Sequence, residues 1–355
     1  MRIAQISPRF YPHIGGVETH VYEIAKRLAK DFEIEVLTTD PTGKLSEFEE
    51  IEGITVRRFK SFAPQEAYYF SLDLYRYLKR NSEKYDIIHA HNYHAFPALL
   101  AYLTKRNKFV FTPHYHAHGH TFFRNLLHKP YKLIGKRMFE KADAVICVSN
   151  YERELVLKNF NVDVSKIHVI PNGINLEEFK IAERIKRERD RSFKRILYVG
   201  RIEKYKGLDY VVKALKYLDN FILEVVGKGN YKQKIIKLAM DLGVLNRVRF
   251  YQDLSREELV KKYAEADILV LLSRYEAFGI VVAEALAAKT PCIVANESAL
   301  KEWIDNKNVF GIDYPIDVKR LAELIRKVAD ISVEDVKLMT WDDVAERIRK
   351  VYFKV

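Results

Sequence analysis

Short apolar runs alternate with amphipathic segments along nearly the whole chain. Ile3-Ala4-Gln5-Ile6, Ile34-Glu35-Val36-Leu37, Ile87-Ile88-His89-Ala90, Phe109-Val110-Phe111 and Ala144-Val145-Ile146-Cys147-Val148 read as buried parallel strands. Segments of helical period lie between them, among them Val21 to Leu28 and Leu99 to Leu103. A break follows Pro171-Asn172-Gly173-Ile174, and a charged stretch runs on to Lys194. The pattern then restarts at Ile196-Leu197-Tyr198-Val199-Gly200. It continues through Leu223-Glu224-Val225-Val226-Gly227, Val248-Arg249-Phe250, Ile268-Leu269-Val270-Leu271-Leu272 and Cys292-Ile293-Val294. This alternation predicts an α/β protein of two doubly wound, Rossmann-like domains, residues 1–172 and 173–340, facing a cleft. Ligands of open α/β sheets bind beyond the carboxyl ends of the strands, so chemistry is expected just after each apolar run.

Composition narrows the classes. A hydrophobic fraction of 48% over 355 residues excludes wholesale disorder. No run of eighteen apolar residues exists, so no membrane-spanning helix is expected. The N-terminus reads as a first strand and not a signal peptide. The two cysteines, Cys147 and Cys292, sit in apolar runs, which excludes a disulfide framework and points to a reducing cytoplasm. Four Gln, four Met and 30% charged residues lean toward a thermophilic source. The net charge of +12 suits nucleic acid, an anionic membrane or a phosphorylated small molecule. It collects in residues 129–141 and 180–195, and the second run reads as solvated surface or linker. No helix-turn-helix, RNP or zinc pattern occurs, which argues against nucleic acid.

The chemistry-bearing motifs sit at strand ends. Gly15-Gly16 opens a helix, where backbone amides can approach an anion, although a plain turn fits equally. Gly200-Arg201 is followed five positions on by Lys206-Gly207; a planar cation and a point cation there suit a diphosphate. Gly227-Lys228-Gly229 looks like a phosphate loop but lacks the last glycine of the dinucleotide fingerprint. Ser273-Arg274-Tyr275-Glu276-Ala277-Phe278-Gly279 runs into a helix carrying Glu284. Eight positions is a little over two turns, so Glu276 and Glu284 can face one ligand. The neighbours of Glu284 are apolar, and a carboxylate in such company needs a partner. The segment Thr112-Pro113-His114-Tyr115-His116-Ala117-His118-Gly119-His120 reads as a loop with one functional histidine rather than a metal site, since no Cys or carboxylate joins it. The chain has no Asp-x-Asp, the usual carboxylate pair for a metal–diphosphate complex.

Taken in order, these motifs resemble a retaining glycosyltransferase of the GT-B fold, family 4, over essentially the whole chain. Pro12-His13-Ile14-Gly15-Gly16-Val17-Glu18 is similar to the family's glycine loop, and Thr112-Pro113-His114 to its histidine segment. Val148-Ser149 and Ile170-Pro171-Asn172-Gly173-Ile174 match the passage into the second domain. Gly200-Arg201 with Lys206-Gly207 matches the diphosphate clamp, and Glu276-Ala277-Phe278-Gly279 through Glu284-Ala285 the two-glutamate motif. Trp341 and the final helix, within 341–355, resemble the segment that packs back on the first domain. The chain departs from the pattern at Leu272-Ser273, where Pro-Ser is usual, at Gln252, where glycine is usual, and at Ser298-Ala299, near which a glycine pair is expected.

The resemblance implies transfer of a hexose from a UDP- or GDP-linked donor to a sugar, lipid-linked or small-molecule acceptor, with no metal and no cofactor. Arg201 and Lys206 would hold the diphosphate, Glu284 the ribose, and Asp253 and Leu254 would lie near the base. Glu276 and the backbone at Phe278-Gly279 would face the sugar. Gly15 and Gly16 would approach the phosphate or sugar, and His114 the sugar near its reacting carbon. Residues 120–137 mix aromatics and cations and fit a peripheral contact with the inner face of a membrane. Tyr11, Tyr68, Tyr69, Tyr93 and Tyr115 are candidates to stack on an acceptor sugar. Three other functions fit parts of the pattern. They are a nucleotide-sugar epimerase with Glu276 and His114 as its acid and base, a phosphorylase-like enzyme with lysine-bound pyridoxal phosphate, and a basic binding protein without activity.

Overall fold

The computed structural model describes residues 1–64, 68–115, 135–189, 192–334 and 336–355. The chain forms two compact units. The first comprises Met1–Gly173 and Met339–Val355, and the second Ile174–Leu338.

The first unit holds an eight-stranded sheet: β1 (Arg2–Ile6), β2 (Glu33–Asp40), β3 (Phe48–Ile51), β4 (Ile54–Lys60), β5 (Ile87–His91), β6 (Lys108–Thr112), β7 (Ala144–Cys147) and β8 (Ile167–Val169). Its order is β3-β4-β2-β1-β5-β6-β7-β8. All neighbours are parallel except the edge hairpin β3–β4. Glu52 and Gly53 turn that hairpin with φ of 48° and 79°, the positive pair that a tight two-residue hairpin requires. Strand order reverses direction between β1 and β5, which makes the loops after those strands the expected ligand edge.

The second unit holds β9 (Lys194–Val199), β10 (Phe221–Val226), β11 (Val248–Tyr251), β12 (Ile268–Leu271), β13 (Cys292–Ala295) and β14 (Val309–Ile312). All six are parallel, in the order β11-β10-β9-β12-β13-β14. That is the Rossmann order 3-2-1-4-5-6. Its switch point lies between β9 and β12. β12 and β13 are buried on both faces and continuously apolar, as parallel sheets demand, whereas β9, β10 and β11 carry Lys194, Arg195, Glu224 and Arg249. Ile196 and Tyr198 enter the core on one face, Leu197 and Val199 on the other.

Helix starts follow from local chemistry. Ser255 and Glu258 form a reciprocal capping box, as do Thr340 and Asp343. The helix Trp341–Lys354 packs on the helix Gly16–Leu28 and buries Trp341, Val344, Ile348, Val351 and Tyr352. The run 180–195 is less solvated than its charge suggests. Lys186 Nζ donates to Thr290 Oγ1 at 2.7 Å and to the Ala266 carbonyl at 3.1 Å. Arg189 donates to the same carbonyl at 2.8 Å and pairs with Asp267. Both cations sit at the C-terminal end of the helix Arg256–Glu265, where the helix dipole favours them. Burial pushes the Lys186 pKa down to about 7. Cys147 and Cys292 are free and buried, one in each unit. Among the described residues, no helix is long and apolar enough to cross a membrane.

Candidate active site

In the second unit, the loops after β9 and β12 converge. Gly207 stands at φ 71°, and a Cβ there would lie 2.6 Å from the Leu272 carbonyl oxygen. Only glycine admits both the left-handed backbone and that close approach. The tight packing brings Lys206 Nζ to 2.5 Å from Glu276 Oε1, with side chains 12% and 18% exposed. Burial alone would lower the lysine's pKa. The Glu276 charge outweighs it and holds the ammonium above its ordinary value. Arg201 is exposed and donates to Tyr205 OH at 3.0 Å.

Glu276 is fixed through its backbone. Its N–H donates to Ser298 Oγ at 3.0 Å, and the Ala299 N–H donates to its carbonyl at 3.3 Å. Ser298 itself takes φ 51°. The chain thus keeps a left-handed residue near the place where the family pattern has glycines, and uses its hydroxyl. Phe278 accepts a bond from Trp303 Nε1 at 2.8 Å, and Gly279, at φ 88°, opens the helix Ile280–Ala287.

Glu284 is buried between two donors. Arg256 Nη1 reaches Oε1 at 2.5 Å and Tyr263 OH reaches Oε2 at 2.7 Å. The partner that the apolar surroundings demanded is therefore within the protein. A carboxylate has about four acceptor sites, so lone pairs remain for hydroxyl donors. Asp253, on the loop after β11, is exposed, has φ 53° and lies 3.5 Å from Lys228. The positive φ thus falls one residue after Gln252. Leu254 packs on the apolar face that includes Tyr263 and Leu286. The Gly227-Lys228-Gly229 motif is explained by packing: a Cβ on either glycine would collide with the backbone of Gly200 or Ile202.

In the first unit, Gly15 caps the helix Gly16–Leu28 in extended conformation, and a Cβ on it would clash with the Glu18 carboxylate. Glu18 pairs with Arg9 at 2.8 Å. Gly16 has open space where its Cβ would be. His114 is buried at φ 46°, a sparsely populated conformation for a non-glycine residue. Glu152 braces it: the carboxylate accepts the Tyr115 N–H at 2.5 Å and the Val148 N–H at 2.6 Å. Burial pushes the Glu152 pKa up to about 8 despite those two donors.

His114 is not a lone histidine. It contacts His20 and His91, with ring centroids 5.1 and 6.1 Å away. His89 adjoins them and bonds Tyr352 OH and Thr112 Oγ1 at 2.6 and 2.7 Å. Burial holds His89, His91 and His114 well below the ordinary imidazole range and takes His20 down to about 4. All four are neutral near pH 7. The sequence reading missed His20, His89, His91 and Glu152. The spacing His89-Ala90-His91 at a strand end, and the pattern Ser149-x-x-Glu152, were the available signals. His116, His118 and His120 lie outside the described residues, as does the membrane candidate 120–137 apart from its last three positions. Tyr69, Tyr93 and Tyr115 are buried rather than displayed.

Two Rossmann-like units, one with a cation–carboxylate pair at its switch point, are the architecture of the GT-B fold. The family models agree: residues 14–178 match Glycosyltransferase Family 4 and residues 179–339 match Glycosyl transferases group 1. An uncharacterised glycosyltransferase of Methanocaldococcus jannaschii is 30% identical over 99% of this chain and 98% of its own. The glycogen synthase of Mycobacterium tuberculosis is 29% identical over 93% of this chain and 86% of its own. The chain belongs to the group 1 glycosyltransferases. Among solved structures, sucrose-phosphate synthase from Thermosynechococcus elongatus superposes with TM-score 0.81 at 22% identity, covering 99% of this chain and 98% of that one. Anabaena HepE, solved with UDP and glucose, gives TM-score 0.80 at 17% identity, covering 100% of both chains.

Proposed function

We propose that the protein is a retaining hexosyltransferase. It takes a hexose from a UDP- or GDP-linked donor and passes it to a sugar, lipid-linked or small-molecule acceptor, with no metal at the diphosphate. The observation that carries this reading is Lys206 Nζ, 2.5 Å from Glu276 at the switch point, with Arg201 on the same loop. As the bond between the sugar carbon and the phosphate oxygen breaks, its electron pair stays on the diphosphate and the sugar gains oxocarbenium character. Arg201 and Lys206 are fixed cations aimed at that growing charge, the task a metal performs in sites with paired aspartates. The acceptor hydroxyl oxygen bonds the same carbon and its proton leaves with the diphosphate. Retention means that an α-linked donor gives an α-linked product. Glu284 accepts from the ribose hydroxyls, while Asp253 and Leu254 flank the base. Glu276 and the backbone at Phe278-Gly279 face the sugar. Gly16, which has open space where its Cβ would be, leaves room for donor atoms beside Gly15, and neutral His114 bonds the sugar.

A thermal-shift panel in EDTA tests the reading, headed by UDP-glucose in view of the HepE complex, with GDP-mannose, ADP-glucose and the free nucleotides. Ligand at a hundredfold its Kd adds about 2.7 kcal/mol. A rise with one nucleotide family, followed by an α-linked product in the proton NMR spectrum, supports it. A β-linked product overturns retention. A shift that appears only with magnesium overturns metal-free binding.

A further inference from the structure

Three buried histidines of the first unit converge from three elements. His20 lies on the helix Gly16–Leu28, His91 at the end of β5, and His114 just after β6. One ring nitrogen of each lies within 4.8 Å of those of the other two. Their neighbours fix the tautomers. Gln5 Nε2 donates to Tyr352 OH at 2.9 Å, so the Gln5 carbonyl oxygen faces His91 and accepts its Nε2–H at 2.8 Å. His91 Nδ1 is left with its lone pair. Asn172 Oδ1 accepts His20 Nδ1–H at 2.8 Å, which leaves His20 Nε2 with its lone pair. These two nitrogens and His114 Nε2 are all buried and have no hydrogen-bond partner among the described residues. Leaving a buried polar atom unsatisfied is costly, so three in one cluster form a donor set that lacks its ligand.

We infer that His20, His91 and His114 bind one borderline divalent transition-metal ion of the Zn²⁺ class, with a fourth position open to a solvent ligand. Imidazole suits Zn²⁺, Co²⁺ and Ni²⁺, whereas Mg²⁺ and Ca²⁺ take oxygen ligands. The carbonyl oxygens of Gln5 and Asn172, each holding the far ring nitrogen, are the supports that metal-bound histidines generally have. Burial keeps protons from competing near pH 7. An ion at about 2.1 Å from each nitrogen would draw them to about 3.4 Å apart. The inference concerns binding alone and stands whether or not the transfer reading holds.

The test uses the full chain without an affinity tag, stripped with chelator, dialysed and titrated with Co²⁺. Visible ligand-field bands should saturate at one equivalent, vanish on adding Zn²⁺ and ignore Mg²⁺. His20→Gln and His91→Gln should each weaken binding at least tenfold, and Gln5→Ala by roughly 10–100-fold. A variant with His116, His118 and His120 all changed to Ala should keep full binding. Absence of cobalt bands in the wild-type chain overturns the inference, and that measurement depends on no variant folding. Loss of the bands in the triple variant, with retention in His91→Gln, overturns it too by placing the ion on His116, His118 and His120.

Discussion

Lys206 and Arg201 share a loop but not an environment, and their substitutions should separate accordingly. Arg201 is exposed, so Arg201→Ala should leave stability within about 0.5 kcal/mol. If it stabilises the departing diphosphate, kcat/KM should fall by roughly 10²–10³. Lys206→Ala should lower turnover comparably and also cost stability, because it strands a part-buried Glu276 carboxylate without its cation. Kinetics paired with urea melts of both variants would check this. An Arg201→Ala enzyme with unchanged kcat/KM would remove that residue from the reaction. Glu284 adds a third case at this scale. With both oxygens already bonded, Glu284→Gln should destabilise the second unit as well as raise the donor KM.

At the scale of elements, β1, β5, β6 and the last helix jointly bury four neutral histidines, and this sets a pH dependence. An imidazole whose folded pKa lies below its unfolded value of about 6.5 stays neutral while the unfolded chain protonates. Its contribution is fully present above 6.5 and is lost as pH falls toward the folded value, about 4 for His20 and, for His89, His91 and His114, also well below the ordinary imidazole range. Glu152 acts oppositely, because its pKa is raised to about 8; its contribution is full below about 4.5 and lost as pH rises. In the metal-free chain, four imidazoles oppose one carboxyl between about pH 6.5 and 5, so stability should fall on acidification with a slope that grows from about one proton near pH 6.5 to about three near pH 5. His89→Gln, able to keep bonds to Tyr352 and Thr112, should reduce that slope by about one. Urea midpoints over this range decide it, and a flat profile would remove the cluster from the account. Most of the fold was legible in the sequence, because apolar runs at helix-length intervals report a parallel sheet wherever both faces are buried. The β3–β4 hairpin was not, since its strands carry Glu49, Glu50, Arg57 and Arg58 at an edge with little hydrophobic signal. Of the candidate site, the strand-end motifs were legible because glycines and charges interrupt apolar runs there. The histidine cluster was not. Gln5, His20, His91, Asn172 and Tyr352 are far apart in sequence, and a histidine inside an apolar strand looks like any buried position until its neighbours are known.

At the scale of the whole chain, the first unit is discontinuous and residues 339–355 complete it. The backbone of Thr340 and Trp341 fills the place where a Cβ on Gly173 would stand, which ties the two stretches where they meet. The helix then buries Trp341, Val344, Ile348, Val351 and Tyr352. At about 1.5–3 kcal/mol for each large apolar side chain, that burial is comparable with the 5–15 kcal/mol that separates a folded domain from its unfolded chain. Deleting 339–355 would also strip the Tyr352 hydroxyl from Gln5 and His89, leaving buried polar atoms unpaired. The second unit loses no strand and keeps Arg201, Lys206, Glu276 and Glu284. The truncated chain should therefore unfold its first unit and retain its second. Limited proteolysis should leave a resistant fragment near 174–338, and nucleotide should still raise its melting temperature while transfer is abolished. A truncated chain with the full circular-dichroism signal and activity would show that the first unit is complete without its last helix. A resistant fragment that no longer responds to nucleotide would instead mean that the second unit does not bind the donor by itself.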